Sequence, residues 1–317
     1  MLAYGPVPSR RLGRSLGINN IPFKHCSYAC VYCQLGYTLD RRLARRAFYA
    51  PEEILEAVAE KVAAAADKGE RIDYLTFVPD GEPTLDINLG NTARMLRRFK
   101  IPVAILTNGS LLQRADVRKD LQAFDWVSLK VDAATEECWK KVDRPSPELD
   151  FREHLQGLSR FGKVFRNHLC TETMLIEGYN DTPAEWEKIG QILGELDPLV
   201  AYIGIPTRPP ALPGVQGPRE EVLAGAYETL SRFCRRVELL TGYEGDALSR
   251  TGDPRVDLWS ITMVHPVREE AALKFLSVLG KPGETLSEMV EQGKLKRVLW
   301  KGIAYYIGKA PGTSSGA

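Results

Sequence analysis

Three cysteines fall within eight residues of this 317-residue sequence, in HCSYACVYCQ over residues 25–34, spaced Cys26-x3-Cys30-x2-Cys33 with Tyr32 directly before the last. Thiols this close can pair as disulfides or, as thiolates, hold a metal centre. The other three, Cys138, Cys170 and Cys234, are scattered, and six cysteines in so long a chain make no secreted disulfide framework. The cluster therefore favours metal. Structural zinc usually adds a second cysteine pair or two downstream histidines; no matching pair is present, and His25 would have to fold back beside Cys26 to serve as a fourth ligand. A cubane iron–sulfur cluster on three thiolates keeps one iron open, which suits binding and activating a ligand better than electron carriage alone.

The elements that must position such a centre show in the hydropathy pattern. From about Leu16 to Leu240 short apolar runs (SLGIN, DYLTFV, PVAILT, DWVSLKVD, VFRNHLCTETMLI and LVAYIGIP) alternate with amphipathic segments such as Glu52–Lys68, Phe151–Phe161 and Ala184–Leu196. Pro51-Glu52-Glu53 and Thr182-Pro183 are good helix starts. Six βα units predict parallel strands with right-handed crossovers, in an open sheet or a barrel fragment, with functional side chains at the C-terminal strand ends.

Period-two alternation then separates the faces. Val127, Leu129 and Val131 share one, leaving Ser128, Lys130 and Asp132 on the other; His168, Cys170 and Glu172 fall together, as do Tyr202, Gly204, Pro206 and Arg208. Lone buried charges are costly, so three strands with polar inward positions predict either an internal ion-pair network or a ligand cavity, and their number favours the cavity. Cys170 reads first as a small buried side chain and second as a hydrogen relay or a ligand to another metal. The proline-rich IPTRPPALPG, which carries Arg208, reads as a stiff lid over the cavity or as a plain surface loop.

Net charge is +1, yet eight basic residues stand against Asp40 alone between Met1 and Arg46, on both sides of the cysteines. Such a run is a solvated face or a site for an anionic cofactor or substrate. No run of eighteen apolar residues occurs and the first residues lack the apolar stretch of a signal peptide, so a cytoplasmic protein with no membrane partner is expected. After about Gly242 a polar linker, GYEGDALSRTGDPRVD, precedes the apolar run LWSITMV, two helical segments, and KRVLWKGIAYYIG, a hairpin turning at Lys301-Gly302. Strand, helix, helix and hairpin resemble a small winged-helix domain, which binds nucleic acid or packs on protein, and the last residues have the composition of a disordered tail.

C-x3-C-x-aromatic-C after a first strand resembles the signature of the radical S-adenosylmethionine (SAM) superfamily. The resemblance covers roughly Arg14 to Leu240. It implies a partial (β/α)6 TIM-like barrel over residues 1–245, followed by the winged-helix-like domain at 246–310 and the tail at 311–317. It also implies two cofactors, a 4Fe–4S cluster ligated by Cys26, Cys30 and Cys33, and SAM chelating the fourth iron, with Tyr32 near the adenine. Gly81, Glu82 and Pro83 in TFVPDGEPTL match the family's glycine-glycine-glutamate-proline turn that meets the methionine ammonium, with Asp80 in place of the first glycine. Asn108 in LTNG, and Ser128, Lys130 and Asp132, would be further SAM contacts.

A narrower resemblance, in GPVPSRRLGRSLGINN, SLKVDAAT, GYND, PTRPP and the C-terminal HPV and YY stretches, is to the branch grouped with the tRNA wyosine synthase. Wyosine synthases themselves carry a second cluster whose ligands lie upstream of the first; no cysteine precedes Cys26 here, so the branch carries over and the wyosine substrate does not. These resemblances imply an enzyme that cleaves SAM reductively to a 5′-deoxyadenosyl radical, with an external one-electron donor such as flavodoxin or ferredoxin. Inward His168, Cys170, Glu172 and Arg208 are the candidate catalytic residues. A tRNA or other nucleic acid is the first expectation for substrate, then a peptide or protein, then a metabolite. An iron–sulfur redox-sensing regulator is the non-enzymatic alternative; it would have no need for the Gly81-Glu82 turn or for Lys130 and Asp132.

Overall fold

The computed structural model describes residues 1–241, 248, 252–264 and 266–309. Eight strands form one curled half-barrel sheet in sequence order: β1 (Ala3–Ser9), β2 (Gly13–Ile18), β3 (Tyr74–Phe77), β4 (Val103–Thr107), β5 (Trp126–Lys130), β6 (His168–Met174), β7 (Val200–Gly204) and β8 (Val237–Leu240). Strands β2 to β8 run parallel and β1 pairs antiparallel to β2. Helices α1 (Pro51–Asp67), α2 (Leu89–Leu96), α3 (Ala115–Leu121), α4 (Glu136–Val142), α5 (Phe151–Val164), α6 (Pro183–Leu196) and α7 (Glu220–Ser231) fill the connections. The helix starts follow from their sequences: Glu53 accepts the Ala50 N–H at 2.8 Å, Asp150 accepts from Glu153 N at 2.9 Å, and Thr182 accepts from Glu185 N beside Pro183.

Alternation decides what each strand face meets. Phe77, Ile105, Val127, Leu129 and Ile203 point out and pack with Ile54, Val58, Leu158 and Ile189 of the helices. The inner face is layered. Trp126, Cys170, Tyr202 and Leu240 form an apolar floor with Leu12 of the β1–β2 turn; Glu172 and Gly204 lie one inward step further along their strands, level with Lys130, which is two steps beyond Trp126.

Two strands exceed the six expected. The sequence AYGPVPS hides β1 because Pro6 and Pro8 argue against a central strand; as an edge strand with a register shift between Tyr4 and Val7, it needs fewer of its N–H groups. Strand β8 is only four residues long and hides behind α7.

Beyond the barrel come α8 (Pro254–Val264), β9 (Val267–Arg268), α9 (Glu269–Leu276), α10 (Pro282–Glu291), β10 (Leu295–Trp300) and β11 (Ile303–Gly308), with a three-stranded sheet in the order β10-β11-β9. LWSITMV is helical, not a strand: Leu258 and Ile261 recur at helical spacing into this unit's own core with Phe275, Leu286 and Tyr306. Its first turn also takes the last residues of the expected linker. The hairpin does turn at Lys301-Gly302, both with positive φ (50° and 75°) as a two-residue type I′ turn requires. The boundary between 245 and 246 and the tail at 311–317 lie outside the described residues. No helix among the described residues is long and apolar enough to cross a membrane.

Candidate active site

The loop from Lys24 to Gly36 carries the three cysteines to the C-terminal ends of the strands. All three are free, partly exposed thiols. Cys33 N donates to Cys30 O and Gly36 N to Cys33 O, both at 3.1 Å, coiling the loop so that its thiols line one cavity. Burial, with Glu82 next in importance, pushes the Cys26 thiol up to about 12, and burial beside Asp143 raises Cys30 well above its ordinary value. Thiolates at these positions need a cation to sustain them, as cluster irons would.

The turn after β3 is bonded to that loop through backbone groups. Lys24 N donates to Asp80 O and Glu82 N to His25 O, each at 2.8 Å. Gly81 lies so close that a Cβ there would stand 1.7 Å from His25 O. Close approach, not unusual φ, is what demands glycine here. Glu82 is buried, and its carboxylate accepts from Thr84 Oγ1 at 2.6 Å, Thr107 Oγ1 at 2.5 Å and Asn108 N at 2.8 Å. It ties the end of β3 to the end of β4. Burial raises its pKa and these donors oppose the rise. Asn108 in turn donates from Nδ2 to Ser27 Oγ at 2.9 Å, holding β4 against the cysteine loop.

Asp80, standing where the family pattern has glycine, keeps negative φ; its carboxylate accepts from Asn19 Nδ2 at 2.7 Å. Burial pushes it up to about 6, and among the described residues Oδ1 has no partner. A folded-state pKa above the unfolded value means that the native state holds the proton more tightly, so stability falls as pH rises from about 4 to 6. Asp80→Asn keeps the bond from Asn19 and removes the charge. It is expected to stabilise the fold by about 1–3 kcal/mol above pH 6, with the gain vanishing at pH 4. Urea unfolding at both pH values checks this; a gain independent of pH would contradict it.

On the opposite wall Lys130 Nζ lies 3.2 Å from Glu172 Oε1, 3.5 Å from Asp132 Oδ1 and 4.9 Å from the Tyr32 ring centroid. Asp132 is buried and accepts from the Tyr32 hydroxyl and, at 2.6 Å, from Met174 N. Glu172 also accepts from Arg11, which the β1–β2 turn carries across the barrel above Leu12. The strap after β7 closes the remaining side: Pro206, Thr207 and Arg208 line the cavity, Arg208 donates to Gln34 Oε1 at 3.3 Å, and Leu212 N donates to Val31 O at 3.1 Å.

The result is one cavity of about 300 Å³ lined by Cys26, Cys30 and Cys33, Tyr32, Gly81, Glu82, Asn108, Lys130, Glu172 and Arg208. Pro83, Ser128 and Asp132 are buried and are not part of its lining. Two expected catalytic residues are misplaced by their height on β6. His168 is the first residue of that strand and exposed, at the end away from the cavity, and Cys170 is fully buried in the floor with its thiol pushed up to about 11 by burial. Alternation gives a side chain's face and not its level.

Arg10 and Arg11, from the basic run that reads as a solvated face or as a site for an anion, line the cavity. Asp143, at the end of α4, accepts from Cys30 Sγ at 3.4 Å, and no sequence signal marks it. Burial, then Asp132, pushes its carboxyl well above the usual range.

Three thiols on one coiled loop, a glycine cradle with no room for a Cβ, and a cationic wall opposite suit a cluster with a ligand on its open side. The family model of the radical SAM superfamily matches residues 20–188, and the chain belongs to that superfamily. Membership brings a 4Fe–4S cluster and SAM as cofactors and makes the protein an enzyme of radical SAM chemistry. Among relatives, UPF0026 protein MJ1312 of Methanocaldococcus jannaschii is 41% identical over 96% of this chain and 95% of its own length. Two solved structures share the fold. A radical SAM methyltransferase from Sphaerobacter thermophilus has TM-score 0.54 at 17% identity, covering 72% of this chain and 66% of its own. TYW1 with a lysine-pyruvate adduct bound has TM-score 0.53 at 15% identity, covering 69% and 73%.

Proposed function

We propose that Cys26, Cys30 and Cys33 ligate the cluster, that SAM lies between the Gly81 turn and Lys130, and that the hydrogen atom removed belongs to a nucleic acid. The observation that carries this reading is that the three thiols, the Gly81 turn, Asn108 and the Lys130–Glu172 pair line one cavity. When bound and reduced, the cluster supplies the electron that cleaves SAM to methionine and a 5′-deoxyadenosyl radical. The chain's own residues bind, orient and exclude water. The Glu82 carboxylate is occupied by Thr84 of its own turn and by Thr107 and Asn108 at the end of β4, so the Gly81 backbone carbonyl is the group of the turn that would accept from an ammonium. Lys130 offers a cation to a carboxylate, and Asp132 fixes the Tyr32 ring as a flat face for a base. Leu35, Val78, Leu106, Met174 and Leu240 complete an apolar lining that keeps water from a radical.

Two observations favour a nucleic acid over a small metabolite. Arg10, Arg11 and Arg208 line the cavity, and the C-terminal unit has the helix–strand–helix–helix–hairpin order of a winged-helix-like domain. An external flavodoxin or ferredoxin would reduce the cluster. Unfractionated tRNA is expected to raise 5′-deoxyadenosine formation in the reconstituted, reduced enzyme above the RNA-free rate, and RNase digestion to abolish the rise. Stimulation by a peptide pool and not by RNA would overturn the nucleic-acid reading.

Lys130→Met tests the SAM wall. It leaves Asp132, whose side chain is 0% exposed, without its cation. SAM affinity is expected to fall about tenfold or more, with about 3 kcal/mol lost from folding; equilibrium dialysis and denaturation measure the two separately. Unchanged SAM binding would remove Lys130 from the cofactor site.

A further inference from the structure

The C-terminal hairpin combines features that the barrel site does not use. Residues 292–309 contain Lys294, Lys296, Arg297, Lys301 and Lys309 and no acidic residue. Only Arg297 of these has an ion pair among the described residues, with Glu269. At the tip Leu299 is 68% exposed and Ile303 37%, while Trp300 is partly exposed with Lys301 Nζ 5.1 Å from its ring centroid.

The hairpin's register places Lys296, Val298 and Trp300 on one face with Ile303, Tyr305 and Ile307. Tyr305 anchors the middle of that face to the barrel, while Lys296 and Ile303 on the same face are exposed and Trp300 is partly so. Tyr305 is fully buried, meets Trp300 edge-on with centroids 6.0 Å apart, and donates to Thr207 O at 3.4 Å. Thr207 lines the cavity, next to Arg208. The cationic hairpin therefore stands beside the strap that forms the cavity wall.

We infer that this hairpin is a docking surface for single-stranded RNA, which it holds so that a nucleotide reaches the cavity past Thr207. Cations without acids match a phosphate backbone, and an aromatic ring beside lysine is a platform on which a base stacks. An acidic protein would satisfy the lysines and have no use for the ring. The inference names the surface used by the nucleic acid in the proposed reaction and rests on that reading for its substrate. RNA binding is measured without SAM or reductant, so its failure is distinguishable from failure of the radical chemistry.

The test is fluorescence anisotropy of a labelled single-stranded RNA with the full chain, in wild type, Lys296→Glu/Lys301→Glu and Trp300→Ala, over a series of salt concentrations. Thermal melting checks that the variants are folded. The double reversal is expected to weaken binding at least about tenfold and to reduce the salt dependence by one to two phosphate contacts' worth, a slope change of roughly 0.7 per contact. Trp300→Ala is expected to weaken binding about five- to a hundredfold at all salt concentrations. Equal RNA binding by folded variants, absence of binding by wild type, or equally tight binding of polyglutamate to the same residues would each overturn it.

Discussion

Cys30→Ala is expected to fold and to bind no complete cluster. The substitution removes one of three thiols from a partly exposed loop position, so its cost in folding is about 1 kcal/mol or less, whereas two thiolates leave a second iron of the cubane open. Iron and sulfide content after anaerobic reconstitution should fall to background, with the melting temperature nearly unchanged. Cys138→Ala is the control. That thiol projects from α4, buried, and donates to Tyr179 O at 3.8 Å, apart from the cavity, and its loss should cost some stability and leave the cluster intact. A full cluster in Cys30→Ala, or its loss in Cys138→Ala, would refute the ligand assignment.

Gly81→Ala should damage the same centre from the opposite side without touching a ligand. A Cβ at 1.7 Å from His25 O and 2.6 Å from its carbonyl carbon meets backbone, so the segment must move as a whole. Movement breaks the bonds from Lys24 N to Asp80 O and from Glu82 N to His25 O, and it drags Glu82 from Thr107 and Asn108. A loss of about 2–4 kcal/mol and a sharp fall in cluster content are expected, read by denaturation and by iron analysis. Gly36→Ala provides the contrast on the cysteine loop. Its φ is +84° but nothing lies within 4 Å of the added Cβ, so only left-handed strain of about 1–2 kcal/mol is incurred and the cluster should be retained. Equal effects of the two substitutions would show that close packing at Gly81 is unimportant.

Much of this site was legible in the sequence because its chemistry is local. Three cysteines within eight residues and Lys130 on the polar face of an alternating strand need only short-range rules to be read, and the Gly-Glu-Pro turn was singled out by its resemblance to a family motif. What escaped depends on distant pairing. Arg10 and Arg11 stand out from the rest of the basic run, a solvated face or an anion site by sequence, only when β1 folds back on β2 and carries their turn across the barrel to Glu172. Asp143 gains its place beside Cys30 only through the packing of α4 against the cysteine loop, where Ala29 N and Val31 N donate to Asp143 O and Val142 O. His168 was over-read for the opposite reason: it shares a face with Glu172 but stands four residues earlier on a strand that starts with it. LWSITMV, seven residues long, is too short for periodicity to separate a buried helix from a buried strand.

The most direct test of the radical SAM assignment is formation of 5′-deoxyadenosine. The anaerobically reconstituted chain, chemically reduced in the presence of SAM and without any substrate, should release 5′-deoxyadenosine and methionine in equal amounts, detected by chromatography, with none from Cys30→Ala. An intact, reducible cluster that leaves SAM uncleaved would contradict the account.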